Sequence, residues 1–252
     1  MNKTAIVTGS SGGIGSAVCT EFIKQGWDVI GVDVDDSSLD LHRFEYADFS
    51  EVDAVSKLHD RLRDLQQVNA IVNNAAICIN KSVVETTDEE WQQTFDVNVR
   101  SAFQMIRSFH HHLSLTKGSI VNVSSVHSSA TTAHVSAYAA SKGALTALTR
   151  AIAMEYAPDG IRCNAVLPGA VNTSMLQSGL SRLGDENLPQ ENFEALESAI
   201  PLNFIAKPDQ IAPTIVHLAD NETSSTETAK KVFPVPAGPS ERTISFSFNA
   251  FI

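Results

Sequence analysis

The chain is predicted to fold as an α/β protein, one domain over residues 1–252 built on a doubly wound parallel sheet with helices on both faces. Three observations predict it. Short apolar runs alternate with amphipathic helical stretches, the pattern that sets strands parallel and places helices between them. The first run leads straight into a glycine-rich turn, Thr8-Gly-Ser-Ser-Gly-Gly13-Ile-Gly15, and then a helix. With 252 residues, of which 43% are hydrophobic and 19% charged, the chain is long enough to bury one full core.

The elements follow in order. Thr4-Ala-Ile-Val7 reads as the first strand, and a helix runs from about Ile14 to Gln25, ended by Gly26. Asp28-Val-Ile-Gly-Val32 is the second strand. Val52, Val55, Leu58, Leu62 and Leu65 recur at helical spacing and predict a helix over Glu51 to Gln67, followed by the strand Ala70-Ile-Val72. Asp88 is placed to cap a helix carrying Trp91, Phe95, Val99, Phe103 and Ile106. Ser119-Ile-Val-Asn-Val123 is a strand, Ser136 to Tyr156 a helix and Ile161 to Val166 a further strand. Residues 173–206 form a long insertion with Met175, Leu176, Leu180, Leu183, Phe193 and Leu196 scattered among polar residues, in the manner of a lid over a site.

Bulk properties exclude several classes of function. A formal net charge of −11 argues against a nucleic-acid surface or an anionic membrane as partner. Cys19, Cys78 and Cys163 are far apart and lack metal-ligand spacing, so they read as single thiols in a reducing compartment. No apolar run approaches a membrane span, and no charged leader with an apolar region precedes the first strand. A cytoplasmic protein is expected.

The glycine turn has a specific chemical use. After a buried strand the backbone must turn tightly and let a pyrophosphate approach a helix N-terminus, and glycine permits both. Gly9, Gly13 and Gly15 supply this, so the fold is expected to be of Rossmann type and to bind a dinucleotide. Asp33, about twenty residues past the turn, ends the second strand where a carboxylate accepts hydrogen bonds from the adenosine ribose. That carboxylate repels a 2′-phosphate, and no Arg or Lys stands at Ser10, Ser11, Val34 or Asp35 to offset it. NAD is therefore expected rather than NADP.

Tyr138 and Lys142 lie four residues apart, so on a helix they share a face. A phenol ionises near pH 10, and bringing it to neutrality takes about 4 kcal/mol of differential stabilisation. Lys142 is placed to supply part of that. Hydride transfer to a ketone builds negative charge on oxygen, which calls for a proton donor and a hydrogen-bond donor at hand.

Taken together these residues resemble the short-chain dehydrogenase/reductase family in its shorter form, over roughly residues 3 to 222. Beyond the glycine turn, Asp48 matches the family's residue beside the adenine. Asn73-Asn-Ala-Ala76 resembles its Asn-Asn-Ala-Gly segment, with Ala76 in place of the glycine. Asn98 matches its catalytic-site asparagine, and Ser125 stands thirteen residues before Tyr138, the family's serine spacing. Pro168-Gly169 with Thr173 resembles the segment that holds the nicotinamide carboxamide.

The resemblance implies Asn98, Ser125, Tyr138 and Lys142 as catalytic residues and no metal. In those roles Tyr138 is the acid/base, Ser125 orients the carbonyl, Lys142 tunes Tyr138 and binds the nicotinamide ribose, and Asn98 holds a relay water. It implies a cofactor site of Gly9, Ser11, Gly13, Ile14, Gly15, Asp33, Asp48, Asn74, Ala75, Tyr138, Lys142, Pro168, Gly169, Val171 and Thr173. Ser124 is expected to point the other way from Ser125. The small residues Ala139, Ala140, Gly143, Ala144 and Ala147 permit close helix packing, and the resemblance implies a homodimer or homotetramer.

Some features stand outside that pattern. His127 and His134 flank the expected pocket, and His110-His-His112 reads as a solvated helix end rather than a metal site. Residues 223–252 form an atypical tail, where Pro234 and Pro236 remove the ladder donors of a last strand; a divergent terminus and an altered reading frame both fit it. The expected function is an NAD-dependent oxidoreductase interconverting a secondary alcohol and a ketone on a small-molecule substrate, which could be a sugar derivative, a hydroxy acid or acyl compound, a steroid-like ring or a small alcohol. The alternative is a non-catalytic NAD(H)-binding regulatory or scaffold module, which has no need of Ser125, Tyr138, Lys142 and Asn98. Carbonyl reduction in fatty-acid synthesis would call for a basic residue near Ser10 or Val34, and none is there.

Overall fold

The computed structural model describes residues 2–183, 189–200 and 202–220. Six parallel strands stand in the order β3-β2-β1-β4-β5-β6. They are β1 Thr4–Thr8, β2 Asp28–Asp33, β3 Arg43–Tyr46, β4 Ala70–Asn73, β5 Ser119–Val123 and β6 Arg162–Val166. The order reverses between β1 and β4, and in an open parallel sheet that reversal leaves a crevice beyond the strand C-termini.

The alternation of side chains along each strand sorts the core into two layers. Ile6, Ile30, Ile71 and Ile120 face one way and meet Leu58 of α2 (Ala54–Arg61), Met105 of α4 (Ser101–Ser108) and Ile152 of α6 (Ser136–Glu155). Their neighbours Val7, Val29, Val72 and Val121 face the other way, against Phe22 of α1 (Gly13–Lys24) and Ile215 of α9 (Pro208–Ala219). Because both faces are covered, the strands read as continuous apolar runs rather than alternating ones. Each of these fully buried aliphatic side chains contributes about 1.5–3 kcal/mol relative to exposure.

Several local expectations are corrected. The helix expected over Glu51 to Gln67 spans only Ala54–Arg61; the backbone leaves it at Leu62, and Val52 is exposed. Thr87, not Asp88, caps α3 (Asp88–Phe95): its hydroxyl accepts from the Glu90 amide while the Glu90 carboxylate accepts from the Thr87 amide. The helix that follows is interrupted by a π-helical turn at Asp96–Arg100.

Strand β3 was not foreseen. Arg43-Phe-Glu-Tyr46 has little apolar run to announce it, and its buried Glu45 is tolerated because Arg43 and Arg61 both pair with it. The insertion after residue 173 carries α7 (Ser174–Leu183) and α8 (Pro189–Ala199), which pack on each other.

Ala76, standing where the related segment has glycine, does not take a positive φ. The three consecutive histidines open α5 (His110–Thr116) rather than forming a freely solvated end. His110 pairs with Asp159 at 2.8 Å, and His112 packs against Phe109. Among the described residues no His, Cys, Asp or Glu cluster forms that could hold a metal ion, and no helix is long and apolar enough to cross a membrane. The atypical tail over 223–252 and Leu183's side chain lie outside the described residues.

Candidate active site

The glycine turn after β1 is built by close backbone approach. Gly9 adopts φ +66°, a conformation that L side chains rarely take. A Cβ on Gly15 would lie 1.9 Å from the Gly9 carbonyl oxygen, so only glycine lets α1 start so near the turn. The α1 N-terminus carries no side-chain cap and no acidic residue in its first turn. Its free amides and dipole therefore face the crevice, an arrangement that suits the pyrophosphate of a dinucleotide. Thr173 packs beside it, where a Cβ on Gly13 would meet its methyl at 2.7 Å.

Asn74 fastens β4 to this turn, donating to the Thr8 and Gly9 carbonyls, both at 3.0 Å. Thr8 Oγ1 accepts from the Asn74 and Ala75 amides at 3.0 and 3.1 Å. At the end of β2, Asp33 accepts from the Ser11 amide at 2.8 Å and the Val34 amide at 2.7 Å. These bonds fix the carboxylate and leave lone pairs for further donors. Asp48, just past β3, accepts from the Ser50 amide at 2.9 Å and hydroxyl at 2.7 Å.

On the other flank, Val126 donates to the Pro168 carbonyl at 3.0 Å, and Val171 forms a bridge with Ala206. Gly169 has open space where a side chain would stand. The residues expected at the cofactor site from the sequence follow the C-terminal ends of the strands, from Asp33 and Asp48 after β2 and β3 to Pro168, Val171 and Thr173 after β6. The glycine turn, with Ser11, Ile14, Asn74 and Ala75, stands between them.

Ser125 follows β5, and Tyr138 and Lys142 stand one turn apart on α6. The Ser125 hydroxyl stands near enough to the Tyr138 phenol to favour its ionised form. Ser124 turns away as expected, its hydroxyl bonded to the Lys142 carbonyl at 3.0 Å and to Thr146 at 2.8 Å. The Lys142 ammonium lies 5.6 Å from the Tyr138 ring centroid and donates to the Val123 carbonyl at 2.7 Å.

Burial pushes Tyr138 up to about 12, outweighing the nearby Ser125 hydroxyl that lowers it, and pushes Lys142 down to about 8. Lys142 was expected to draw the phenol toward neutrality. In this arrangement burial outweighs any such pull, with Nζ against the ring face and the Val123 carbonyl.

Asn98 sits in the π-helical turn, a distortion that recurs at functional sites. Its amide donates to the Ile77 carbonyl at 2.9 Å and Ser141 at 3.0 Å, and its carbonyl accepts from the Ile77 amide at 2.8 Å. Ser141 in turn donates to the Tyr138 carbonyl at 2.7 Å, which ties the turn to the catalytic helix.

Three features were not singled out from sequence. Arg100 pairs with Asp96 at 2.8 Å across the π-helical turn and donates to the carbonyls of Phe49, Ser50 and Glu51. Cys78, a single thiol in the sequence, stands near Tyr138 and Lys142 and donates to Asn80 Oδ1 at 3.7 Å. Asn80 lies against α7, where a Cβ on Gly179 would meet its amide at 3.6 Å. Of the two flanking histidines, His127 packs against Tyr138, whereas His134 is exposed with φ +64°.

Known proteins share this arrangement. The family model described as short chain dehydrogenase matches residues 3–183. The 2,3-dihydro-2,3-dihydroxybenzoate dehydrogenase of Escherichia coli (strain K12) is 33% identical over 229 residues, covering 88% of this chain and 91% of that protein. The 2-(R)-hydroxypropyl-CoM dehydrogenase of Xanthobacter autotrophicus is 34% identical over 241 residues, covering 89% and 94%. Among solved structures, the ligand-free aldohexose dehydrogenase of Thermoplasma acidophilum superposes with a TM-score of 0.82 at 27% identity, covering 95% of this chain and 98% of that one. With the glycine turn, the Ser125–Tyr138–Lys142 group and a match over most of its length, this chain belongs to the short-chain dehydrogenase family.

Proposed function

We propose that the protein is an NAD-dependent oxidoreductase that interconverts a secondary alcohol and its ketone, with Tyr138 as general acid and base. Family membership carries the general chemistry, oxidoreduction at a CH–OH group with a nicotinamide cofactor. The relatives' substrates range from a dihydrodiol to hydroxypropyl-CoM, so membership carries the reaction class and not the substrate. The observation that carries the reading is the Tyr138 phenol buried beside Ser125, with the Lys142 ammonium 5.6 Å from its ring centroid.

When bound, the nicotinamide supplies or accepts the hydride. The chain's own residues do the rest. Ser125 orients the substrate oxygen, and Tyr138 passes a proton to it or takes one from it. Lys142 holds positive charge near the phenol and the nicotinamide ribose. Asn98, its side chain bonded to Ile77 and Ser141, acts in this reading by holding the Tyr138 helix in register with the β4 end.

The choice of NAD rests on Asp33, fixed by the Ser11 and Val34 amides with no Lys or Arg beside it at Ser10, Ser11, Val34 or Asp35. Asp33→Ala is expected to weaken NADH binding about 10- to 100-fold, the worth of hydrogen bonds to a charged acceptor. The same change narrows the preference over NADPH. Fluorescence titration with each dinucleotide measures both, and an unchanged ratio would remove Asp33 from the choice.

Three cysteines with no disulfide between them suit work in the cytosol. A homo-oligomer is part of the same reading: Ala140, Ala147, Ala151 and Met154 form an exposed stripe along α6 that suits close packing against a second copy. Light scattering is expected to give a dimer or tetramer, and Ala147→Glu to give monomer. A wild-type chain of monomer mass at working concentration would remove the assembly from the proposal.

A further inference from the structure

His127 is a polar side chain in the site that the reaction chemistry leaves unused. It stands in the 3-10 turn Val126–Ser128, and its amide donates to Ser125 Oγ at 3.2 Å. The backbone that fixes Ser125 therefore fixes this ring too. The imidazole meets the Tyr138 ring edge to face, with centroids 5.9 Å apart and planes at 74°.

The neighbouring groups admit one tautomer that the site can use. Thr131 Oγ1 lies 3.0 Å from His127 Nδ1, and the Thr132 carbonyl stands 3.4 Å from that hydroxyl, within reach of its proton. With Thr131 accepting, Nδ1 carries the hydrogen and Nε2 presents a lone pair. Among the described residues Nε2 makes no hydrogen bond. Burial holds the ring below the ordinary histidine range, and no other cause acts on it, so it is neutral at pH 7. A neutral lone pair at this place accepts from a hydroxyl and offers nothing to a carboxylate or phosphate oxygen.

We propose that His127 is a specificity residue whose Nε2 accepts from a hydroxyl on the carbon next to the reacting one, so that the site takes vicinal diols and α-hydroxy ketones ahead of simple secondary alcohols. The inference rests on the reading of Tyr138 as the acid/base of alcohol and ketone chemistry. In the oxidative direction the reacting carbon loses its hydrogen with two electrons, as hydride, to the oxidised dinucleotide. Its hydroxyl proton leaves through Tyr138, and the neighbouring hydroxyl emerges unchanged. The product is an α-hydroxy ketone.

The test compares kcat/KM for meso-butane-2,3-diol and butan-2-ol in the wild type and in His127→Phe. Phe keeps the ring contact with Tyr138 and removes the acceptor. A hydroxyl lost from a site built to bond it costs about 10- to 100-fold where one neutral hydrogen bond is at stake. The diol is expected to lead by that factor in the wild type, and the lead to fall to near parity in His127→Phe. His127→Gln, which returns an acceptor, is expected to recover part of it.

Each ratio is taken within one protein, so a general loss of folded enzyme cancels. Turnover of both substrates with a ratio that His127→Phe does not move overturns the role of His127 and leaves the Tyr138 reading standing. If a broad panel of secondary alcohols shows no Tyr138-dependent oxidation with either dinucleotide, the Tyr138 reading fails and this proposal fails with it.

Discussion

Tyr138→Phe is expected to lower kcat about 10³-fold, within the range that a positioned acid/base supplies, while dinucleotide affinity stays nearly unchanged. The substitution removes one oxygen and keeps the ring, so the contacts with the Lys142 ammonium and the His127 edge persist. What disappears is the hydroxyl that, in the proposed mechanism, exchanges a proton with the substrate.

The direction of catalysis has a pH signature of its own. With Tyr138 pushed up to about 12, the phenol holds its proton at neutral pH and stands ready as the donor for ketone reduction. Alcohol oxidation needs the phenolate, whose share rises roughly tenfold per pH unit below its pKa. Oxidation is therefore expected to accelerate from neutral toward alkaline pH, and reduction is not. A Tyr138→Phe enzyme that keeps a sizeable part of its activity, or oxidation that ignores pH, would contradict the assignment.

The second large effect is structural. Gly15→Ala sets a methyl 1.9 Å from the Gly9 carbonyl oxygen, a distance no relaxation of a flexible side chain can relieve, because the obstacle is backbone. Either the turn or the start of α1 must move. Overpacking of this kind costs about 3 kcal/mol or more. For a domain of this size that is a fall in Tm of roughly 6–12 °C. The same displacement turns the α1 amides away from the crevice, so dinucleotide binding is expected to be lost along with stability. Gly15→Ala melting within a degree or two of the wild type and still binding NADH would show that the turn tolerates a side chain.

Legibility followed the physics of each element. The strands through Ile6, Ile30, Ile71 and Ile120 were plain in the sequence because burial on both faces demands unbroken apolar runs. The glycine turn was plain because few other residues fit where Gly9 takes φ +66°. Strand β3 was not, since Glu45 is buried only through Arg43 and Arg61, and the second of these arrives from α2.

The π-helical turn was equally silent. Asp-Val-Asn-Val-Arg suits an ordinary helix, and the ties that accompany the extra residue, from Asn98 to Ile77 and Ser141, are tertiary. For the site, spacing brought Ser125, Tyr138 and Lys142 to notice. The balance of burial against charge at Tyr138 was not legible, because it depends on how deep α6 lies and on where the Lys142 ammonium points.

Arg100 holds Asp96 with one nitrogen and the carbonyls of Phe49, Ser50 and Glu51 with another. Its grip joins the loop that begins at Asp48 to the π-helical turn that carries Asn98. In the proposed reading one lies at the adenine end and the other holds the Tyr138 helix. Seating at one end and alignment at the other are then coupled through one side chain outside both the glycine turn and the Ser125–Tyr138–Lys142 group.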